Sequence, residues 1–342
     1  MRWKLIDGGS SLRGLDAVYA DDFMVTGYDA EGLWLVRPDG AREQIVKGNK
    51  DHMRDGSQFF GATAVAADGE GTLYVAYDLG TYPKGVIGLA TRSGNTWKTQ
   101  TLIDQVAAIG STSQRHISIA ATASGAVTVA AGVLDQDNRI LTILSPGRAP
   151  KKLELEIDGV ALAVDAQGDV HLLCNPSRGG LHYGRASQDW KLEQIETTNG
   201  APHLAIAIDR SGTPHIAYLQ RGSKDRLYHG VRRDGWQLTK VDIELNSGFH
   251  PKLAFVDDRP VIGHWASKSS DNASSTAVVD TPVRFAKQDT AGKWSCETVG
   301  NAFQRSAFAL GTDDRPWFAF GSRDKLRFAT GDPIATTAAK KK

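Results

Sequence analysis

One stretch of sequence decides the fold: HLAIAIDRSGTPHIAY at residues 203–218, followed by RLYHGVRRDGWQLTKVDI at residues 226–243. Apolar and other residues alternate through two segments that are joined by an Asp/Gly turn. A third segment carries Leu-Tyr, and a fourth begins at Trp236. Alternation with a period of two is typical of half-buried β-strands. The stretch therefore predicts a unit of four strands.

The same unit recurs along the chain. The copy upstream reads GVALAVDAQGDVHLLC and then GLHYGRASQDWKLEQIE, and the copy downstream reads PKLAFVDDRPVIGHW and then VRFAKQDTAGKWSCETV. Fainter copies bring the series to seven, with turns roughly 43 to 56 residues apart near Asp22, Gly71, Gly125, Gly168, Gly212, Arg259 and Arg315. This period is typical of propeller blades. It predicts an all-β, seven-bladed β-propeller of four-stranded blades, with six or eight blades as alternatives.

The last copy lacks a fourth strand that begins with Trp, and the N-terminus supplies one. The segment WKLID at residues 3–7 matches the stretch from Trp97 to Asp104, which ends in the same Leu-Ile-Asp. We therefore expect residues 2–7 to complete the last blade and leave no open sheet edge. Residues 1–334 are then one propeller domain, and residues 335–342 are a disordered Lys-rich tail.

Charge and cysteine content exclude several function classes. Lys plus Arg number 40 against 39 for Asp plus Glu, so no net field favours nucleic acid or a membrane. The first residues hold no apolar signal region, so the chain as written is expected to be cytoplasmic, or secreted if an export signal was removed. Cys174 and Cys296 lie in different repeats, which predicts two free thiols. We also expect a monomer that binds no cofactor and no metal. Ca²⁺ at Asp-rich turns such as residues 135–138 is an unsupported alternative.

The repeats resemble those of the sialidase-like (BNR-type) propellers, in which a phrase such as GTPHIAY precedes LYHG and a GW turn. That superfamily includes sialidases, polysaccharide lyases and non-catalytic glycan-binding propellers. Its Asp-box turn would read Ser-x-Asp-x-Gly-x-x-Trp. The nearest approaches here, TRSGNTW at residues 91–97 and DTAGKW at residues 289–294, depart from that pattern. The resemblance implies a carbohydrate-related propeller.

In a propeller, the loop before the first strand of each blade and the loop after the second share one face, around the mouth of the central channel. Arg, His and aromatic residues are frequent at these positions. Arg side chains bind carboxylate, sulfate or phosphate in a bidentate manner, so an anionic glycan is the ligand class that this chemistry suits best. The predicted ligand-binding residues are Arg13, Arg115, Arg178, Trp265 and Arg305. The alternative is that these side chains cap backbone carbonyls or pair with acidic residues such as Asp78.

Catalysis is a second hypothesis. The resemblance implies that a sialidase would use three arginines, and Arg13, Arg115 and Arg305 occupy equivalent positions, but no Glu is well placed to activate a tyrosine. A polysaccharide lyase needs only a neutralising cation with His or Tyr as base and acid. The candidates of those types are His116, His203, His250, Tyr77 and Tyr218. A third hypothesis is a protein-interaction scaffold, because the chain has no firm catalytic set.

The tryptophans divide into three groups. Trp97, Trp190, Trp236 and Trp294 recur at one repeat position that Trp3 also occupies, which predicts packing inside blades. Trp34 and Trp317 lie inside predicted strands and are expected in the core. Trp265 instead adjoins a long Ser/Asn-rich insertion, which makes it the aromatic candidate for ligand contact.

Overall fold

The computed structural model describes residues 1–48, 58–81, 84–107, 116–135, 138–196, 200–242, 244, 246–267, 281–302, 306–321 and 325–334. Within these ranges the chain is all-β, and its one helical element is a 3₁₀ turn at Ala186–Gln188. The described part contains no helix of the length and apolarity needed to cross a membrane. The predicted tail at residues 335–342 lies outside the described residues.

Five of the sheets have four antiparallel strands, and in four of these sheets the strands follow one another in chain order. Four of these sheets are consecutive hairpins. Their strands are β2 (Arg13–Tyr19), β3 (Phe23–Asp29), β4 (Gly32–Val36) and β5 (Arg42–Lys47); β6 (Gln58–Ala67), β7 (Leu73–Thr81), β8 (Lys84–Ser93) and β9 (Thr96–Ala107); β17 (Gly200–Ile208), β18 (Pro214–Gln220), β19 (Arg226–Arg232) and β20 (Trp236–Asp242); β21 (Asn246–Val256), β22 (Arg259–Ser267), β23 (Thr281–Gln288) and β24 (Trp294–Ala302).

The fifth four-stranded sheet joins the two ends of the chain. It has the order β1-β27-β26-β25, with β1 (Trp3–Ser10), β25 (Ser306–Leu310), β26 (Pro316–Gly321) and β27 (Lys325–Gly331). β1 runs antiparallel to β27, with Trp3 opposite Gly331 and Asp7 opposite Arg327. β1 is thus the fourth strand of this sheet, beside β27, β26 and β25.

The remaining sheet has seven strands in sequence order: β10 (Ile117–Ala121), β11 (Val127–Asp135), β12 (Asn138–Leu144), β13 (Lys151–Val164), β14 (Val170–Pro176), β15 (Leu181–Arg185) and β16 (Glu193–Glu196). The long strand β13 explains the number. Its first half pairs with β12 as far as Glu156, and its second half pairs with β14 from Ile157 onwards. One strand therefore belongs to two four-stranded units.

The hydrophobic core is divided among the interfaces between successive units. Leu33, Leu35, Val75 and Ala90, for example, pack in one cluster between the sheet that begins with β2 and the sheet that begins with β6. A further cluster joins the last sheet to the first, with Phe23, Val25 and Val36 packed against Ala319 and Phe328. The tryptophans predicted to pack inside blades, Trp3, Trp97, Trp190, Trp236 and Trp294, each lie partly buried against one such cluster. Trp34 and Trp317 pack against the cluster between the last and first sheets.

A recurring Asp-x-x-Gly turn connects first and second strands. At residues 165–171, Asp165 Oδ1 accepts hydrogen bonds from the N–H groups of Gln167 and Asp169, both at 2.9 Å, and Oδ2 lies 3.2 Å from His171 Nε2. Gly168 has φ of +83°, a conformation that favours glycine. Asp209 and His215 repeat the arrangement. These polar residues are therefore used to build turns.

Candidate functional site

The first strand of each unit lines a shared cavity. Residues of β2, β6, β10, β13, β17, β21 and β25 surround a space of about 220 Å³. Many of the lining side chains are short, including Ala64, Ser118, Ala161, Ala205 and Ser306, and short side chains leave room along the axis. Of the predicted site residues, His203 and His250 line this cavity.

Hydrogen bonds between neighbouring first strands hold the cavity wall. Ser118 Oγ accepts the N–H of Leu162 at 3.0 Å, and Thr63 Oγ1 donates to the carbonyl of Gly14 at 2.6 Å. Each bond joins a side chain of one unit to the backbone of a neighbouring unit. Because both members of each bond lie in sheets, the bonds fix the positions of neighbouring first strands.

An ion pair reaches across part of the cavity. Lys252 Nζ on β21 lies 2.6 Å from Asp16 Oδ1 on β2, and Asp16 Oδ2 accepts the N–H of Val65 at 2.9 Å. The Asp16 side chain is 8% exposed, whereas the Lys252 side chain is 44% exposed. The carboxylate is thus held by the wall, while the lysine side chain keeps part of its surface exposed to solvent.

Two histidines lie together in the same cavity lining. The rings of His203 and His250 meet edge to face with their centroids 4.6 Å apart, and His203 Nδ1 accepts the N–H of His250 at 3.2 Å. That bond places the proton of a neutral His203 on Nε2. His250 has φ of +48°, a left-handed backbone that is uncommon for a residue with a side chain. Backbone strain of this kind is often found at functional sites.

The aromatic residues near His250 support it from behind. Trp265 is 3% exposed and stacks on Phe249 with centroids 4.3 Å apart, and its ring lies 6.1 Å from that of His250. Leu219 completes this small cluster. Trp265 therefore packs behind the histidine, outside the cavity lining.

The other predicted site residues lie in different surroundings. Tyr77 and Tyr218 are buried in clusters between sheets, where burial raises the pKa of Tyr77. His116 is fully buried with Nε2 3.2 Å from Asp78 Oδ2. Arg13 and Arg178 are exposed, and Arg115 and Arg305 lie outside the described residues. The structure thus brings together His203 and His250 of the predicted set.

Asp16 and Lys252 were absent from the candidates suggested by the sequence. Those candidates came from the ends of strands, whereas Asp16 and Lys252 lie inside β2 and β21. Within a strand, alternation distinguishes two faces but does not show which polar residue reaches a channel. The pattern PKLAF therefore carried no signal for a cavity lysine.

Three solved structures of low sequence identity share the fold. An ulvan lyase, a polysaccharide lyase, is 10% identical with a TM-score of 0.57 and covers 96% of this chain and 95% of its own. A catalytically inactive virginiamycin B lyase from Staphylococcus aureus, solved with quinupristin, is 12% identical with a TM-score of 0.56 and covers 96% of this chain and 100% of its own.

A lectin from Aleuria aurantia, solved with a fucosyl-GlcNAc ligand, is 14% identical with a TM-score of 0.50 and covers 81% of this chain and 96% of its own. No protein-family model and no curated protein matches the chain. The likeness shows that the chain has a β-propeller fold.

Proposed function

We propose that the chain is a closed ring of seven blades that binds an anionic glycan at its central cavity, without catalysis. The seven blades follow if the seven-stranded sheet is counted as two units that share β13. Ring closure is supported by the core cluster between the last and first sheets and by the contact between β25 and β2. A closed ring gives the cavity walls on every side.

An anionic ligand is proposed because Lys252 and the two histidines line one cavity. Lys252 offers an ammonium group with a partly solvated side chain, and His203 and His250 offer imidazole donors. A sugar carboxylate that binds here would share Lys252 with Asp16. The exposed Arg13 at the start of β2, with Arg115, Arg305 and Arg178, extends the same preference to further anionic groups of the ligand.

Cavity size limits the part of the ligand that enters. About 220 Å³ is below the ~300 Å³ at which pockets for drug-sized ligands begin, so one sugar unit fits and the rest of the glycan stays outside. The lectin with this fold was solved with a carbohydrate, and the ulvan lyase is named for a polysaccharide. The proposed ligand is therefore a terminal uronic acid or a similar acidic sugar.

Calorimetric titration with glucuronate tests the proposal, with glucose as the neutral ligand. We expect binding of glucuronate alone, and Lys252→Met is expected to remove it. The matched control is Lys325→Met, because Lys325 also pairs with a carboxylate, Asp7 at 3.0 Å, but on the outer strands β27 and β1. Equal binding of both sugars, or equal loss in the two variants, would count against an anion site at the cavity.

Elimination at an acidic glycan is a second candidate function, favoured by the contact between His203 and His250. A lyase neutralises the uronate carboxylate, removes the proton on the adjacent carbon and expels the glycosidic oxygen. Lys252 would neutralise the carboxylate, and His250 would take the proton as the carbon–carbon double bond forms. Water would protonate the glycosidic oxygen as its bond to carbon breaks. Incubation with polyuronates should then raise ultraviolet absorbance from the unsaturated product, and His250→Ala should abolish the rise. A flat trace with the unmodified protein excludes this activity for the polymers used.

A further inference from the structure

A polar cluster away from the cavity is left unexplained by glycan binding. Asp242 ends β20, His264 lies in β22 and Cys296 lies in β24, so the cluster bridges two neighbouring sheets. One ligand atom from each residue, a carboxylate oxygen, an imidazole nitrogen and the thiol sulfur, lies within 4.8 Å of the others. Asp242 and His264 are buried, and Cys296 is half-buried.

The imidazole of His264 has one nitrogen, Nε2, without a hydrogen-bond partner among the described residues, and His264 belongs to this cluster. Nδ1 lies 3.3 Å from the carbonyl oxygen of Trp265 and donates to it, so the lone pair of the neutral ring is on Nε2. The ring is fully buried, and Nε2 has no hydrogen-bond partner among the described residues. Leaving such a group unsatisfied is costly, and a metal ion would satisfy it. A backbone carbonyl that fixes the second nitrogen is also the usual support of a histidine ligand.

The separations suit a small tetrahedral ion. His264 Nε2 lies 3.7 Å from Asp242 Oδ2. Two ligand atoms about 2.0 to 2.1 Å from a tetrahedral zinc lie roughly 3.3 Å apart, so a small adjustment brings both into range. Nitrogen, sulfur and carboxylate oxygen together form a ligand set that zinc accepts.

In a second cluster of acidic residues and a histidine, both ring nitrogens of the histidine have hydrogen-bond partners. Asp165, Asp169 and His171 also approach one another, but His171 has a partner at each nitrogen, Tyr183 Oη at 2.6 Å and Asp165 Oδ2 at 3.2 Å. Arg185 pairs with both carboxylates. Both nitrogens of His171 are therefore occupied, and this cluster gives no reason to propose a metal.

Arg284 is the competing cation at the first cluster. Its Nε lies 3.2 Å from Asp242 Oδ2, and its Nη2 lies 3.1 Å from Glu244 Oε2. Two carboxylates and a thiolate carry three negative charges, which a divalent ion and one guanidinium would balance. The arginine therefore lowers the affinity for a cation without excluding one.

We propose that Asp242 Oδ2, His264 Nε2 and Cys296 Sγ bind a zinc ion that ties β20 to β22 and β24. The Cys296 thiol, which lies 3.7 Å from the carbonyl oxygen of Val241, loses its proton to solvent when the sulfur binds the metal. No electron transfer is involved. The ion stabilises the interface between the two sheets.

Cobalt titration of the metal-free, full-length protein tests this site, because a thiolate bound to Co²⁺ gives a charge-transfer absorption band. We expect one Co²⁺ per chain with that band, and Zn²⁺ should displace it. Cys296→Ala should remove the band, and His264→Gln should weaken binding roughly tenfold or more. The matched control is Cys174→Ala, which removes the other thiol in a separate core cluster and should leave the band intact.

Two results would overturn the proposal. One is the absence of a thiolate band in the unmodified protein at a Co²⁺ excess. The other is a band that persists in Cys296→Ala and disappears in Cys174→Ala. If Cys296→Ala fails to fold, retention of full affinity by His264→Gln overturns the site in the same way.

Discussion

The buried histidine pair of the sheet formed by β17–β20 makes a quantitative prediction about acid stability. His229 Nε2 lies 3.0 Å from His215 Nδ1, and His215 Nε2 lies 3.3 Å from Asp209 Oδ2. These partners define a chain in which His229 donates to His215 and His215 donates to the carboxylate. Burial, with a smaller contribution from His215, lowers the pKa of His229 from 6.5 to about 3. The perturbation is His229→Gln, which keeps an N–H donor and removes the titration.

The magnitude follows from proton linkage. Below pH 6.5, His229 is protonated in the unfolded chain. In the folded protein it stays neutral until the pH approaches the lowered pKa, so acid favours unfolding. Each pH unit in that window costs about 1.4 kcal/mol, so His229 removes roughly 2.5 kcal/mol between about pH 6.5 and pH 4.5. Carboxylates titrate at lower pH than this window. Burial alone would raise the pKa of Asp209, but hydrogen bonds from Ser211 and Thr213, together with His215, hold it below 3.8.

Urea denaturation at several pH values across this window measures the effect. The free energy of unfolding should fall less steeply with acid in His229→Gln than in the unmodified protein. His182→Gln is the matched control, since it removes a half-buried imidazole in β15 that lies beside the carbonyl of Gly180. Identical slopes for the unmodified protein and His229→Gln would refute the reasoning, because they would mean that His229 is charged or solvated when folded.

Three further substitutions test the packing within and between the units. Trp3→Ala should cost about 2 kcal/mol in urea denaturation, because the half-buried indole of β1 packs edge to face on two phenylalanines; no change would contradict a structural role for β1. Gly88→Ala should cost about 1 to 3 kcal/mol, because the new Cβ would lie 2.3 Å from the Tyr77 ring, whereas Gly222→Ala has room and should not; equal melting temperatures would refute this close packing. Ser118→Ala should cost about 1 to 2 kcal/mol by removing an acceptor between units, and unchanged stability would show that water replaces it.

The sequence predicted much of the fold because each repeat carries its own local instructions. Alternating apolar residues specify strands, and Asp-x-x-Gly turns such as the one at Asp165 specify hairpins through bonds to nearby N–H groups. The match between residues 3–7 and the stretch from Trp97 to Asp104 predicted a fourth strand for the last blade, and in the structure β1 pairs with β27. The shared strand β13 was not predicted, because the sequence pattern does not show that the fourth strand of one unit continues without a break into the first strand of the next.

The site was harder to predict because its groups come from distant parts of the chain. His203 and His250 meet because first strands of successive units are neighbours, which the repeat made visible. Asp16 and Lys252 come from distant parts of the chain and meet across the cavity, and neither stands at a strand end. Cys296 and His264 are 32 positions apart with no motif between them, so the sequence favoured free thiols without a metal. Both cysteines are free of disulfides in the structure.

The most direct test of the central claim is a crystal structure of the protein with glucuronate. The account predicts density for the sugar in the cavity, with its carboxylate about 3 Å from Lys252 Nζ and a hydroxyl or ring oxygen near His250. An empty cavity at saturating ligand, with Lys252 still paired only with Asp16, would contradict it.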